Sequence, residues 1–152
     1  YSGDEIATVN DTSYLSDARK KNDGRWIHRP RFDWKRAGKR HVTGTDEHRI
    51  FSTLQRLIKI RKSLPYLDGR AIQFSLDMSE KSVFCLVRRR NNQTFFALFN
   101  MSEHPQTVRT DVLRQHGTAS TYKDVTQGRS LDLYATEITL SPYEYLWCVP
   151  ES

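Results

Sequence analysis

Val83-Phe84-Cys85-Leu86-Val87-Arg88-Arg89-Arg90-Asn91-Asn92-Gln93-Thr94-Phe95-Phe96-Ala97-Leu98-Phe99 holds two short apolar runs. A run that is apolar at every position has no hydrophilic face, so Val83 to Val87 and Phe95 to Phe99 are expected to be central strands. Asn91-Asn92-Gln93 joins them as a hairpin turn. Upstream, Ile72, Phe74 and Leu76 alternate with polar residues, the signature of a strand with one buried face. Downstream, further short strands are expected at Thr107–Arg109, Thr121–Val125, Leu131–Leu133 and Glu137–Leu140. The last is Tyr143–Val149, with Tyr143, Tyr145, Trp147 and Val149 on a shared face. Strands this short, evenly spaced and without intervening helices, predict a mainly β fold, an antiparallel Greek-key β-sandwich.

Before Pro65 the period is different. Ile50, Phe51, Leu54, Leu57 and Ile58 recur at helical spacing, which predicts one amphipathic helix over about 46–63. Asp46 and Glu47 favour its start, Thr43 or Thr45 can cap it, and Pro65 stops the run. Its other face carries Arg49, Arg56, Lys59 and Lys62. Residues 1–44 are rich in Asp, Asn, Arg, Lys and Gly and show no sustained period, so a solvated or domain-wrapping loop is expected there.

The 152 residues suffice for a sizeable core, and 7 Phe, 7 Tyr and 3 Trp exclude a disordered segment despite a mean hydropathy of −0.71. No stretch approaches the ~20 apolar residues of a membrane helix, and no membrane partner is expected. The chain begins at Tyr1 with a polar, acidic run, so neither a signal peptide nor an initiator Met is expected and a longer parent is. The net charge of +6 is uneven: residues 1–62 hold 15 Lys and Arg against 8 Asp and Glu, whereas the remainder holds 9 against 10. Cys85 and Cys148 lie in apolar runs and are expected to be buried free thiols, which fits a reducing compartment such as the cytoplasm.

Chemistry-bearing motifs are few. Asp4 and Glu5 are an acidic pair, yet neighbours in an extended segment point apart, so at most one serves a shared site. His28, His41, His48, His104 and His116 lack metal-ligand spacing, and no cofactor or metal is expected. Arg25-Trp26-Ile27-His28-Arg29-Pro30-Arg31-Phe32-Asp33-Trp34 interleaves guanidinium and indole groups. That pattern suits nucleobase stacking with phosphate contacts, a sugar pocket, or a loop anchored by its tryptophans. With Arg19-Lys20-Lys21, Lys35-Arg36 and Lys39-Arg40 it leaves open a basic nucleic-acid-binding module, against which stands the absence of any nucleic-acid motif. A free-standing carbohydrate-binding sandwich is a further alternative, although its aromatics fall on core-like positions. Asn10, Asn92 and Asn100 begin Asn-x-Ser/Thr triplets read as chance, and Arg88-Arg89-Arg90 suits a partner site or an exposed hairpin tip.

Tyr1-Ser2-Gly3-Asp4-Glu5-Ile6-Ala7-Thr8-Val9-Asn10-Asp11, then Asn22-Asp23-Gly24-Arg25-Trp26-Ile27-His28-Arg29-Pro30 and Phe32-Asp33-Trp34, closely resemble the end of the catalytic barrel in amylosucrases and related sucrose hydrolases. These are enzymes of the α-amylase superfamily, glycoside hydrolase family 13. The likeness continues through Leu98-Phe99-Asn100-Met101-Ser102-Glu103-His104-Pro105-Gln106-Thr107-Val108 and Leu140-Ser141-Pro142-Tyr143.

The resemblance implies that residues 1–64 end the (β/α)8 catalytic barrel, as the loop over the active site and the last helix, and that 65–152 form the C-terminal sandwich, domain C. Family enzymes cleave sucrose through a covalent glucosyl-enzyme and pass glucose to an α-glucan or to water. Sucrose and α-glucan are then partners of the parent, and nucleic acid is not. No residue here matches the family's catalytic carboxylates, so no catalytic residue and no activity are expected in the isolated chain. Arg25 matches the arginine that closes the glucose pocket by pairing with an upstream Asp, and Gly24 stands where Ser is usual, loosening the backbone. Without the barrel, residues 1–44 are expected to be mobile or held by a neighbouring molecule. The apolar face of helix 46–63 is expected to dock on the sandwich or on a second copy of the chain.

Overall fold

The structure is a computed structural model that describes residues 3–151. Tyr1 and Ser2, which open the N-terminal motif, and Ser152 lie outside the described residues. The chain divides into two compact units, Tyr1–Lys59 and Ile60–Ser152.

The second unit is built around the predicted hairpin. Its strands are β1 (Ile72–Leu76), β2 (Val83–Arg90), β3 (Gln93–Asn100), β4 (Gln106–Arg109), β5 (Thr121–Asp124), β6 (Ser130–Asp132), β7 (Glu137–Leu140) and β8 (Tyr145–Pro150). Asn91 and Asn92 sit at φ 51° and 58°, so a two-residue turn with both centres left-handed closes the Arg90–Gln93 pair. That backbone matches the twist of the flanking strands, and Asn tolerates it better than most side chains. All pairings are antiparallel. A six-stranded sheet runs β1-β2-β3-β8-β5-β6, and β4 pairs with β7 in a second, two-stranded sheet.

The main core joins both sheets. Val83, Cys85 and Val87 of β2, Phe96 and Leu98 of β3, and Leu146 and Cys148 of β8 meet Val108, Ile138 and Leu140 of the smaller sheet. Phe96 packs on the buried Tyr122 with ring centroids 5.0 Å apart. The Tyr122 hydroxyl accepts from the Thr118 N–H at 2.9 Å, so its polar end is satisfied. Burial of each large side chain contributes ~1.5–3 kcal/mol before entropy is counted. The other face of β3 also leaves water: Phe95 and Ala97 lie with Tyr66, Leu67 and Trp147 in a second cluster.

Several expectations need correction. β2 is buried on one face only, because Phe84 is 45% exposed and stacks on Phe99. Ile72 is exposed, so in β1 only Phe74 and Leu76 reach the core. Tyr143 precedes β8 in a turn at φ 56° and so leaves the shared face to Tyr145, Trp147 and Val149; Leu146 and Cys148 on the opposite face are fully buried, while Trp147 and Val149 pack on the second cluster. A helix does intervene between strands: Asp111–His116, α3 after the two helices of residues 34–63, buries Leu113.

Arg88-Arg89-Arg90 is not a bare hairpin tip, because its side chains clamp neighbouring loops. Arg88 Nη2 donates to the Asp68 carbonyl at 2.7 Å, and Arg90 meets the Asp68 carboxylate at 2.6 Å. Arg89 reaches the His116 carbonyl and Thr94 Oγ1, both at 3.3 Å. Asn100, only 2% exposed, is also structural. Its Nδ2 donates to the carbonyls of His104 (2.7 Å) and Ser141 (2.9 Å), and its Oδ1 accepts from the Ser102 N–H and hydroxyl (2.9 and 2.8 Å). The buried Asp124 carboxylate likewise accepts from the N–H groups of Thr126, Gln127 and Trp147.

The first unit holds α1 (Trp34–Gly38), short 3-10 turns at Asp4–Ile6, Ser13–Ser16, Gly24–His28 and Lys39–His41, and most of α2 (Asp46–Ser63), whose last turn belongs to the second unit. α2 covers the predicted range. Thr45 is its cap: its hydroxyl accepts from the His48 N–H at 3.2 Å. Leu54 and Ile58 remain exposed on its apolar stripe.

Candidate functional site

The aperiodic segment 3–44 is organised by aspartates that each cap a turn two or three residues on. Asp11 accepts from the Ser13 N–H, Asp17 from Arg19, Asp23 from Arg25 and Asp33 from Arg36, at 2.8–3.1 Å. A short carboxylate reaching its own backbone stabilises a turn where neither helix nor sheet satisfies the amide. At Asp17/Arg19, Asp23/Arg25 and Asp68/Arg70 the same carboxylate also grips the arginine side chain, giving a repeated Asp-x-Arg fork.

Arg25 stands on one of these forks. Its Nε and Nη2 donate to Asp23 Oδ1 and Oδ2 at 2.8 and 2.9 Å, while its side chain remains 74% exposed. The pairing lowers the Asp23 carboxyl below its ordinary range, chiefly through the Arg25 side-chain hydrogen bonds, and raises Arg25. Nη1 makes no hydrogen bond to a described residue. A Cβ added at Gly24 meets nothing within 4 Å, so the turn accepts a serine there equally well.

The two N-terminal motifs meet at this turn. The Asp11 N–H donates to the Ile27 carbonyl at 2.9 Å, and His28 Nδ1 lies 3.0 Å from Asn10 Oδ1. Gly3 is required upstream: at φ 107°, an added Cβ stands 2.6 Å from Thr8 Oγ1. The Glu5 carboxylate accepts from the Gly3 N–H at 2.9 Å and so braces this turn.

Beside Arg25 lies a cleft of about 660 Å³ whose walls include Asp11, Tyr14, Asp17, Lys20 and Trp26. The Lys20 ammonium sits 4.6 Å from the centre of the Trp26 ring and 3.8 Å from Asp17. The arginine–tryptophan run therefore does not form one surface. Trp26 lines the cleft, whereas Trp34 is 78% exposed, with Phe32 edge-on at 4.7 Å. The basic runs are partly neutralised locally: Arg19 and Lys20 by Asp17, and Arg36 by the buried Glu47 at 2.7 Å. Residue types mark the Arg25–Trp34 run as a whole and the family resemblance singles out Arg25; neither reveals the capping aspartates or the cleft, although each Asp-x-Arg or Asp-x-Ser spacing is visible in the sequence.

Residues 75–149 match the family model described as the amylosucrase C-terminal domain. Among solved structures, the chain is similar to AmyP in complex with maltose, at 15% identity and a TM-score of 0.60 over 73% of this chain and 22% of that one. It is similar to an Anoxybacillus α-amylase at 16% identity and a TM-score of 0.57, covering 72% of this chain and 24% of that one. It is also similar to the α-glucosyl transfer enzyme XgtA at 18% identity and a TM-score of 0.56, covering 76% and 20%. The chain thus spans about a fifth to a quarter of the length of these proteins. Residues 75–149 thus resemble the amylosucrase C-terminal domain in sequence, and the chain shares the antiparallel β-sandwich fold found at the C-terminal end of α-amylase-type enzymes.

Proposed function

We propose that the chain is the C-terminal section of a sucrose-acting α-glucosyl transferase or hydrolase. Residues 1–64 end its catalytic barrel and residues 65–152 form its domain C. The observation that carries this reading is the junction of Asn10-Asp11 with Arg25-Trp26-Ile27-His28, which unites the two amylosucrase-like motifs on one braced turn. The amylosucrase-type sequence of 75–149 supports it independently.

In this reading the carboxylates that attack the anomeric carbon and protonate the departing fructose belong to the rest of the barrel. Arg25 closes the glucose pocket against a further carboxylate supplied there. Asp23 is its positioning residue: by holding Nε and Nη2 it fixes the plane of the guanidinium and leaves Nη1 to the pocket. A fork–carboxylate pair of this kind shapes a pocket through fixed geometry.

Fructose release from sucrose tests the proposal. The full-length protein should release it, and the 152-residue chain alone should release neither glucose nor fructose above buffer. Activity in the chain alone overturns the assignment of catalysis to the barrel. A full-length protein that cleaves maltooligosaccharides but not sucrose overturns the sucrose specificity and leaves a glucan-acting enzyme.

A further inference from the structure

We propose that the cleft walled by Tyr14 and Trp26 binds a short neutral oligosaccharide of the α-glucan type, as a site separate from the Arg25 pocket. The choice of sugar rests on the reading of the parent as glucan-acting; the choice of a neutral polyhydroxyl ligand rests on the cleft itself.

The volume of about 660 Å³ lies within the ~300–1,000 Å³ typical of small-molecule sites. Tyr14 and Trp26, both half-buried, are among its walls; the Lys20 ammonium covers one face of Trp26, which leaves Tyr14 and the rest of the indole to the apolar C–H faces of a sugar. Around the rings stand groups of opposite hydrogen-bonding character. The carboxylates of Asp11 and Asp17 only accept, and hydrogen bonds from Ser13 and Arg19 hold both ionised. Arg29 and Arg31 line the same cleft and only donate, Arg29 also interacting electrostatically with the Asp23 carboxylate.

This mixture selects among ligands. A phosphate or other anion meets two carboxylates at close range, and a cation meets three basic side chains. An apolar ligand strands every charge. A sugar hydroxyl donates to Asp11 and accepts from Arg29 or Arg31 at once, so a neutral polyol satisfies both sets.

The test is a titration of the full-length protein, in which the barrel supports residues 8–44, with maltotriose, followed by the indole N–H resonance of Trp26 (assigned with Trp26→Phe), with inorganic phosphate as the anionic control. The expected result is a saturable shift with maltotriose and none with phosphate. Asp11→Asn and Arg31→Gln should each weaken binding roughly tenfold, the loss of one charge-assisted hydrogen bond. Arg31 is exposed at the rim, so Arg31→Gln leaves the fold intact even if Asp11→Asn loosens its turn. No saturable shift, equal binding of phosphate, or undiminished affinity in Arg31→Gln overturns the site. Sucrose cleavage by the full-length protein is read separately, so failure of either proposal leaves the other standing.

Discussion

Replacing Asn100 by alanine removes a side chain that ties three segments of the sandwich together. The carboxamide is 2% exposed and holds the His104 and Ser141 carbonyls and the Ser102 N–H at 2.7–2.9 Å, with the Leu140 carbonyl at 3.4 Å. Each such bond is worth ~1 kcal/mol net, and a buried group left without a partner costs ~1–3 kcal/mol. The exposed Ser141 and His104 segments can recruit water, which limits the loss, so the expected destabilisation is about 2–4 kcal/mol. For a unit of this size that lowers Tm by on the order of 10–20 °C. Urea melts of wild type and variant provide the measurement, with an unchanged m-value as the sign of an unaltered unfolding transition. Asn100→Asp sharpens the test. It keeps an acceptor for Ser102 but turns an anion toward two carbonyls, so burial raises its folded pKa above the unfolded value. Its deficit against wild type should therefore shrink as pH falls from about 8 to about 5, as the folded carboxyl takes up a proton. An Asn100→Ala variant within ~0.5 kcal/mol of wild type refutes the structural role.

The thiols of Cys85 and Cys148 should be inert in the native protein, since both are fully buried and desolvation pushes Cys85 up to about 12 and Cys148 well above its ordinary value. Reaction with a thiol reagent before unfolding contradicts that burial. Arg70, and then Arg90, hold the Asp68 carboxyl far below the usual carboxylate range. Its folded pKa is depressed, so its contribution is present above the unfolded value near ~4 and fades as pH falls below it. Acid titration of Asp68→Asn should show a flatter loss of stability below about pH 4, and an unchanged acid limb counts against the Asp68 clamp. Limited proteolysis of the dilute chain should cut first within 8–44, where most side chains are exposed and the turns rest on local caps. First cuts within Val83–Phe99 contradict this.

The elements legible in the sequence were those with a period. α2 announced itself by a stripe of five apolar residues between Thr45 and Pro65, and both ends lie where those residues put them. The β2–β3 hairpin was legible because two apolar runs flank a pair of asparagines. α3 was hidden because its six residues span under two turns, too few to separate a helix from the strands around it. Tyr143 followed the alternation of β8 on paper, but a left-handed turn takes it out of the strand. Asn100 was obscured by chemistry of another kind, since Asn-x-Ser reads as a glycosylation triplet while the buried carboxamide needs that serine as a donor. The candidate site was half visible. The Arg25–Trp34 run stood out by residue type and Arg25 by its match to the family motif, but a cleft closed by aspartate-capped turns has no period to detect, and only the Asp-x-Arg repetition marks it.

The proposed role of Arg25, closing the glucose pocket of the parent enzyme, is decided by steady-state kinetics of Arg25→Ala in the full-length protein. Stranding a buried carboxylate costs ~3–5 kcal/mol, so kcat/KM for sucrose should fall by roughly two to three orders of magnitude. The variant should still fold, with a melting temperature lowered by the unpaired pocket carboxylate alone, because within this chain the Arg25 side chain braces nothing but its own turn. Arg25→Lys should not restore activity, since an ammonium lacks the planar fork. A well-folded Arg25→Ala enzyme with near-normal kcat/KM contradicts the account.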